Sequence, residues 1–202
     1  DRIVRNMADY LAKTGNHAGP GTDLGLLFML STGDEKDLEV ARGWVREVVE
    51  KTKDSPQIRT YPWYAGYGGL GLAEYYLRTG DETVLPLIGK LAESLKRDMY
   101  NGGWNSRGGV QFAYGHINAA GVPALAFLLL ARQCGAAVDE HTLQESLRHF
   151  YRFAGHGNVA YGDGLPETQF VDNGKTGKLA FAMAAAAALT PEGERSVYAK
   201  AR

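Results

Sequence analysis

Two stretches of the chain, Leu24 to Asp34 and Gly71 to Asp81, align without a gap, and their glycines Gly33 and Gly80 stand 80 − 33 = 47 residues apart. A repeat of this period constrains the fold more than any other feature, because a unit of about 50 residues cannot bury its own apolar face and has to stack on copies of itself. Each copy is an apolar run closed by Thr-Gly-Asp. Glycine takes the left-handed conformation that stops a helix, and the aspartate after it can cap the next one. The unit is therefore expected to be a helical hairpin: an apolar inner helix, a tight turn and an outer helix.

The outer helices are expected over Lys36 to Lys51 and Thr83 to Met99, where Arg42, Arg46, Glu47, Lys90 and Glu93 fall on a polar face. A third copy reads as Ala119 to Cys134, Gly135 and Glu140 to Phe153, with Gly135 following Gly80 by 135 − 80 = 55 residues. A fourth begins at Gly177 to Leu189 and continues after Pro191 into Glu192 to Arg202, while Asp1 to Lys13 supplies a helix from an earlier hairpin. The expected fold is all-α: repeated helical hairpins forming a partial or excerpted α/α toroid, one domain over residues 1–202. An open solenoid of stacked helix pairs is the structural alternative. A chain that starts at Asp1 reads as a processed product or an excerpt, and further hairpins or a second chain are expected to cover its ends.

Composition narrows the partners. Apolar residues make up 45%, charged residues 22% and the net charge is −1, so no field gathers nucleic acid. The longest apolar stretch, Leu179 to Leu189, is too short to span a bilayer. Cys134 is the only cysteine, which excludes an internal disulfide and a cysteine-based zinc cage and leaves the compartment, extracytoplasmic or not, open. No cofactor or metal is expected.

Function is expected in the links from each outer helix to the next inner one, which are long, aromatic and glycine-rich: Thr14 to Gly21, Asp54 to Gly68, Asn101 to Asn118 and Gly155 to Lys175. Hairpin polarity puts all of them at one end, around a common mouth. Tyr64, Tyr67, Trp104 and Tyr114, with Tyr61, Trp63, Phe112, Tyr161 and Phe170 beside them, are the aromatic candidates, and His116 and Asn118 the polar ones. Aromatic faces next to hydrogen-bonding groups suit sugar rings; the same rings also suit packing between hairpins. Asp23, Asp163, Glu167 and Asp172 are the candidate carboxylates for acid–base chemistry, since glycoside hydrolysis uses a facing pair. Helix capping and turn formation account for the same four residues without chemistry. Glu74, a carboxylate within an apolar inner helix, faces either solvent or the cavity.

The run Tyr67-Gly68-Gly69-Leu70-Gly71-Leu72-Ala73-Glu74-Tyr75-Tyr76-Leu77-Arg78-Thr79-Gly80-Asp81 resembles the inner-helix repeat of the α/α-toroid proteins, particularly the six-hairpin glycosidase-like group. With Asn101-Gly102-Gly103-Trp104 and Asp172-Asn173-Gly174-Lys175 added, the chain is most similar to a bacterial toroid domain of unknown function. The resemblance runs from Leu24 to about Leu189 and implies an architecture rather than a chemistry, because toroids host glycosidases, polysaccharide lyases, terpene cyclases, prenyltransferase subunits and lanthionine cyclases. Asp98 stands where the terpene-cyclase repeat has glutamine and the Asp-x-Asp-Asp acid is missing; Cys134 has no Cys-His pair near it for the zinc of the last two groups. Two readings are left: a carbohydrate-binding or carbohydrate-active toroid, as a glycoside hydrolase where the carboxylates pair, and a non-catalytic binding or scaffold module.

Overall fold

The computed structural model describes residues 1–15, 24–105, 115–153, 159–162 and 184. Its described residues form seven α-helices: α1 (Arg2–Thr14), α2 (Leu24–Ser31), α3 (Glu35–Thr52), α4 (Pro62–Thr79), α5 (Leu85–Asp98), α6 (Asn118–Gln133) and α7 (Glu140–Tyr151). Among these residues β-structure is confined to two isolated bridges, Tyr100 with Gly103 and Ile117 with Gly162. The all-α expectation holds, and α2–α3, α4–α5 and α6–α7 are the three hairpins read from the repeat. The fourth copy lies outside the described residues. No described helix is long and apolar enough to cross a membrane.

The two Thr-Gly-Asp turns are built alike. Gly33 and Gly80 have φ of +75° and +69°, and Gly135 closes the third inner helix at +80°. In the first turn Thr32 donates to the Met29 carbonyl (3.0 Å) and accepts from the Asp34 amide (3.3 Å); in the second, Thr79 donates to Tyr75 (2.7 Å) and accepts from Asp81 (3.2 Å). Each aspartate then accepts from the amide two residues on, Lys36 at 2.9 Å and Thr83 at 3.0 Å. The threonine and the aspartate thus satisfy backbone groups on both sides of the glycine. Asp139 performs the capping in the third copy, accepting from the Thr142 amide at 2.8 Å. The second outer helix differs from expectation at its start: Glu82–Val84 is a 3-10 turn, and α5 begins at Leu85 with Pro86 in its first turn, where a missing N–H costs nothing.

The inner helices run parallel. A Cβ placed on Gly66 would lie 2.8 Å from the Ala124 nitrogen, and one on Gly69 would lie 2.5 Å from the Phe127 ring, so three residues forward on α4 is three forward on α6. Glycine lets the two backbones meet at this seam, where any side chain would hold them apart. On the other flank of α4, Gly71 packs on Leu26 and the Arg78 guanidinium donates to the Leu30 carbonyl, again advancing together. The order across the row is α2, α4, α6 inside, with α3, α5 and α7 outside and the main apolar core between them, from Leu26 and Trp44 through Leu72, Ile88 and Leu91 to Phe127 and Phe150.

Polar ties fix the outer layer. Arg5 of α1 makes a bidentate pair with Asp37, whose side chain is 1% exposed, at 3.1 and 2.5 Å, and also reaches Asp34 (3.0 Å) and Asp9 (3.2 Å). Burial is the largest single influence on the Asp37 carboxyl and acts to raise it, but hydrogen bonds from Arg5 and Thr32 and the charges of Arg5 and Lys36 together outweigh it and hold the group below its ordinary range. Lys90 of α5 donates to the Thr52 and Lys53 carbonyls at 3.0 and 3.1 Å, a cation on the negative end of α3. Along α1, Ile3, Val4, Met7 and Tyr10 are exposed, an apolar stripe at the spacing of one helix face.

Candidate functional site

Helix polarity sends the C-termini of α3, α5 and α7 and the N-termini of α4 and α6 to one end, and the links meet there. Trp63 in the first turn of α4 and Tyr161 of the link after α7 both pack on Ile117, Ala119 and Ala120 at the start of α6. The same link closes α6: the Asn118 and Ala119 amides donate to the Tyr161 carbonyl at 2.8 and 3.4 Å, supplying acceptors that no side chain at the N-cap, Ile117, provides.

The aromatic set divides by position. Pro62 opens α4, so Trp63, Tyr64 and Tyr67 ride on the inner helix rather than in the link expected over Asp54 to Gly68. Tyr64 is 43% exposed and Tyr61, just before the helix, 50% exposed; their rings lie 6.0 Å apart, tilted by 36°. Tyr67 is half-buried with its ring 6.0 Å from Trp63. Trp104 is 0% exposed and its indole Nε1 donates to the Leu95 carbonyl at 2.8 Å. Its placement is that of a core residue anchoring the link to α5. The turn before it explains the Asn-Gly-Gly-Trp run: Asn101 and Gly102 both have positive φ, +46° and +80°, within a turn closed by the Tyr100 and Gly103 amides and carbonyls at 2.9 and 3.0 Å.

His116 and Asn118 come together, with a partner the sequence reading passed over. The Asn118 amide nitrogen donates to the Ala160 carbonyl at 3.0 Å, which leaves its oxygen to accept from His149 Nε2 at 3.0 Å and assigns that nitrogen the proton. The His116 and His149 rings meet edge-to-face at 4.6 Å, and His116 Nε2 donates to the Tyr100 carbonyl at 2.6 Å. Asn118 therefore neither caps its own helix nor faces a cavity; it is buried and joins α7 to the link that follows. Asp23, Tyr114, Asp163, Glu167 and Asp172 lie outside the described residues. Glu74 is half-buried, and with burial as the larger cause it helps push the Cys134 thiol up to about 11.

The concave surface at this end is a cleft of about 590 Å³ lined by Arg59, Thr60, Tyr61, Tyr64, Arg97 and Asp98. Ile58, buried in the core, pins the α3–α4 link, and Arg97 donates to its carbonyl at 2.7 Å, so the arginine at the end of α5 is held against the link that carries Arg59. Asp98 is half-buried, and burial raises its carboxyl above the ordinary range against the opposing pull of Arg97. The sequence reading had Tyr61 and Tyr64 but missed Arg59, Arg97 and Asp98. A signal was present: the last turn of an outer helix ends at the same mouth as the links, so Arg97-Asp98 was a candidate on polarity alone. Among the described residues no three His, Cys, Asp or Glu side chains gather closely enough to hold a metal ion.

The family model described as a domain of unknown function, DUF6288, matches residues 1–202. No curated protein and no solved structure matches the chain.

Proposed function

The chain belongs to the DUF6288 family, and from that premise we propose that it is a toroid-type hairpin domain that binds carbohydrate in the cleft at the mouth end. The observation that carries this reading is the pair of half-exposed rings, Tyr61 and Tyr64, set 6.0 Å apart over a concave surface that also holds arginine and carboxyl groups. Tyrosine faces bury the apolar face of a sugar at small conformational cost, while polar groups alongside read its hydroxyl edge. Among the described residues the cleft carries one carboxylate, Asp98, and glycoside hydrolysis needs two. Binding is accordingly the reading advanced. Hydrolysis is the second: the raised Asp98 carboxyl suits a general acid, with its partner drawn from Asp23, Asp163, Glu167 or Asp172. A non-catalytic scaffold is the opposing class. The exposed stripe Ile3, Met7 and Tyr10 on α1 supports packing against further hairpins or a second chain.

A glycan array and a polysaccharide-cleavage screen on the protein test the proposal, with Tyr61→Ala and Tyr64→Ala as probes. Binding that weakens by about tenfold or more in either variant, at unchanged helicity, is the expected result. Absence of binding and turnover across the panel would leave only the scaffold, and binding untouched by both variants would move the site elsewhere. Reducing ends released by the protein and lost in Asp98→Asn would establish hydrolysis.

A further inference from the structure

We propose that the cleft selects an acidic glycan, a sugar unit whose carboxylate is held between Arg59 and Arg97 while its ring lies on Tyr61 and Tyr64. This rests on the carbohydrate reading and names the class of sugar. Two guanidinium groups line one concave surface with a single carboxyl group beside them, in a protein whose net charge is −1, so the local excess of positive charge belongs to the cleft and not to the chain as a whole. Several arginines elsewhere are neutralised: Arg5, Arg42, Arg132 and Arg148 each sit within ion-pair distance of an aspartate or glutamate. Among the described residues Arg59 has no such carboxylate.

Arg97 is oriented for the task. One of its N–H groups is committed to the Ile58 carbonyl, which tethers the guanidinium to the link and leaves the rest of its five donors for a ligand. A carboxylate matches a guanidinium fork with two parallel hydrogen bonds, which a neutral hydroxyl cannot do. A uronate is the sugar that combines the two chemistries present, an apolar ring face for the tyrosines and a planar anion for the arginines.

The test compares oligosaccharides of galacturonate, glucuronate and mannuronate with the same oligosaccharides after reduction of their carboxyl groups, by calorimetry or fluorescence. At least one acidic oligomer is expected to bind about tenfold or more tighter than its reduced form, with an affinity that falls as salt is raised. Arg59→Gln, a change at an exposed side chain, and Arg97→Gln should each abolish that preference, and Arg59→Lys should keep part of it. Far-UV circular dichroism separates these losses from unfolding. Equal affinity for acidic and reduced forms would overturn the acidic-sugar inference while leaving carbohydrate binding in place. An acid preference that survives both glutamine variants would overturn the assignment to this cleft, and failure of every oligosaccharide to bind would remove both readings.

Discussion

Exchanging glycine for alanine at two helical positions should move stability in opposite directions. In a helix interior alanine is favoured over glycine by about 1 kcal/mol, because glycine has more backbone freedom to lose. A Cβ on Gly89, in the outer helix α5, meets nothing within 4 Å. Gly89→Ala should therefore collect the whole gain, and in a chain of this size about 1 kcal/mol raises Tm by roughly 2–4 °C. At Gly66 the same gain is opposed. The added carbon would stand 2.8 Å from the Ala124 nitrogen and 3.0 Å from the Pro123 carbonyl carbon, where ordinary contact begins near 3.4 Å. Both obstacles are backbone, so no side-chain rotation relieves them and α4 and α6 must part by roughly 0.6 Å (3.4 − 2.8) along much of their length. Overpacking of this kind costs about 1–3 kcal/mol, and with the upper part of that range appropriate to a backbone clash the net loss is about 1–2 kcal/mol. Thermal unfolding followed by far-UV circular dichroism should show Gly66→Ala below the parent by roughly 2–8 °C and Gly89→Ala above it. A rise in Tm for Gly66→Ala comparable to that for Gly89→Ala would refute the close parallel seam.

Asp139 gives a pH signature. Hydrogen bonds from the Thr142 amide and hydroxyl, and then Lys96, draw its carboxyl down to about 2 from 3.8. A depressed folded-state value means stability that is complete above the ordinary aspartate range and lost as pH falls toward 2. Asp139→Ala should thus lower Tm at neutral pH and flatten its decline between pH 4 and 2; an unchanged decline would show that the cap contributes nothing to acid unfolding. Arg5→Met removes the bidentate partner of the buried Asp37, and loss of Tm with early proteolysis of α1 is expected, whereas Arg5→Met with Asp37→Leu should recover much of it because no buried charge is then orphaned. A double variant no better than the single one would show that the arginine acts by packing alone.

Backbone requirements could be read in the sequence, and tertiary pairings could not. The stops at Gly33, Gly80 and Gly135 were legible because positive φ is nearly a glycine property, and the caps at Asp34 and Asp81 because an aspartate after such a glycine has one obvious amide to accept from. Pro62 also marked the start of α4, a signal overlooked, and overlooking it left Trp63, Tyr64 and Tyr67 in a loop. Trp104 and Asn118 were ambiguous for a physical reason. An aromatic or an amide in a link serves a ligand or a neighbouring carbonyl with the same atoms, and only the positions of Leu95 and Ala160 decide between them. The cleft needed two segments brought together, Arg59 to Tyr64 and Arg97-Asp98, about 40 residues apart in a chain whose repeat had drawn attention to the links and away from the ends of the outer helices.

The seams between hairpins are unequal, and that bears on how the molecule opens. Between α4 and α6 backbone lies on backbone at Gly66, while α2, only eight residues long, meets α4 through the Leu26 side chain. In a stacked repeat each unit is held mainly by its neighbours, so partial unfolding begins where an interface is shortest and least intimate. Here that is the flank of α1, α2 and α3, which Arg5 and its carboxylates hold together internally and whose polar ties to the next hairpin are the Arg78 and Lys90 bonds to its carbonyls. The cleft stands on the other side of this weak line: Tyr64 sits on α4, Arg97 and Asp98 on α5, and the link carrying Arg59 is anchored to the same body through Ile58. Fluctuations of the first hairpin can therefore come and go while the arginines and tyrosines keep their spacing, which spares a ligand the entropic cost of assembling them.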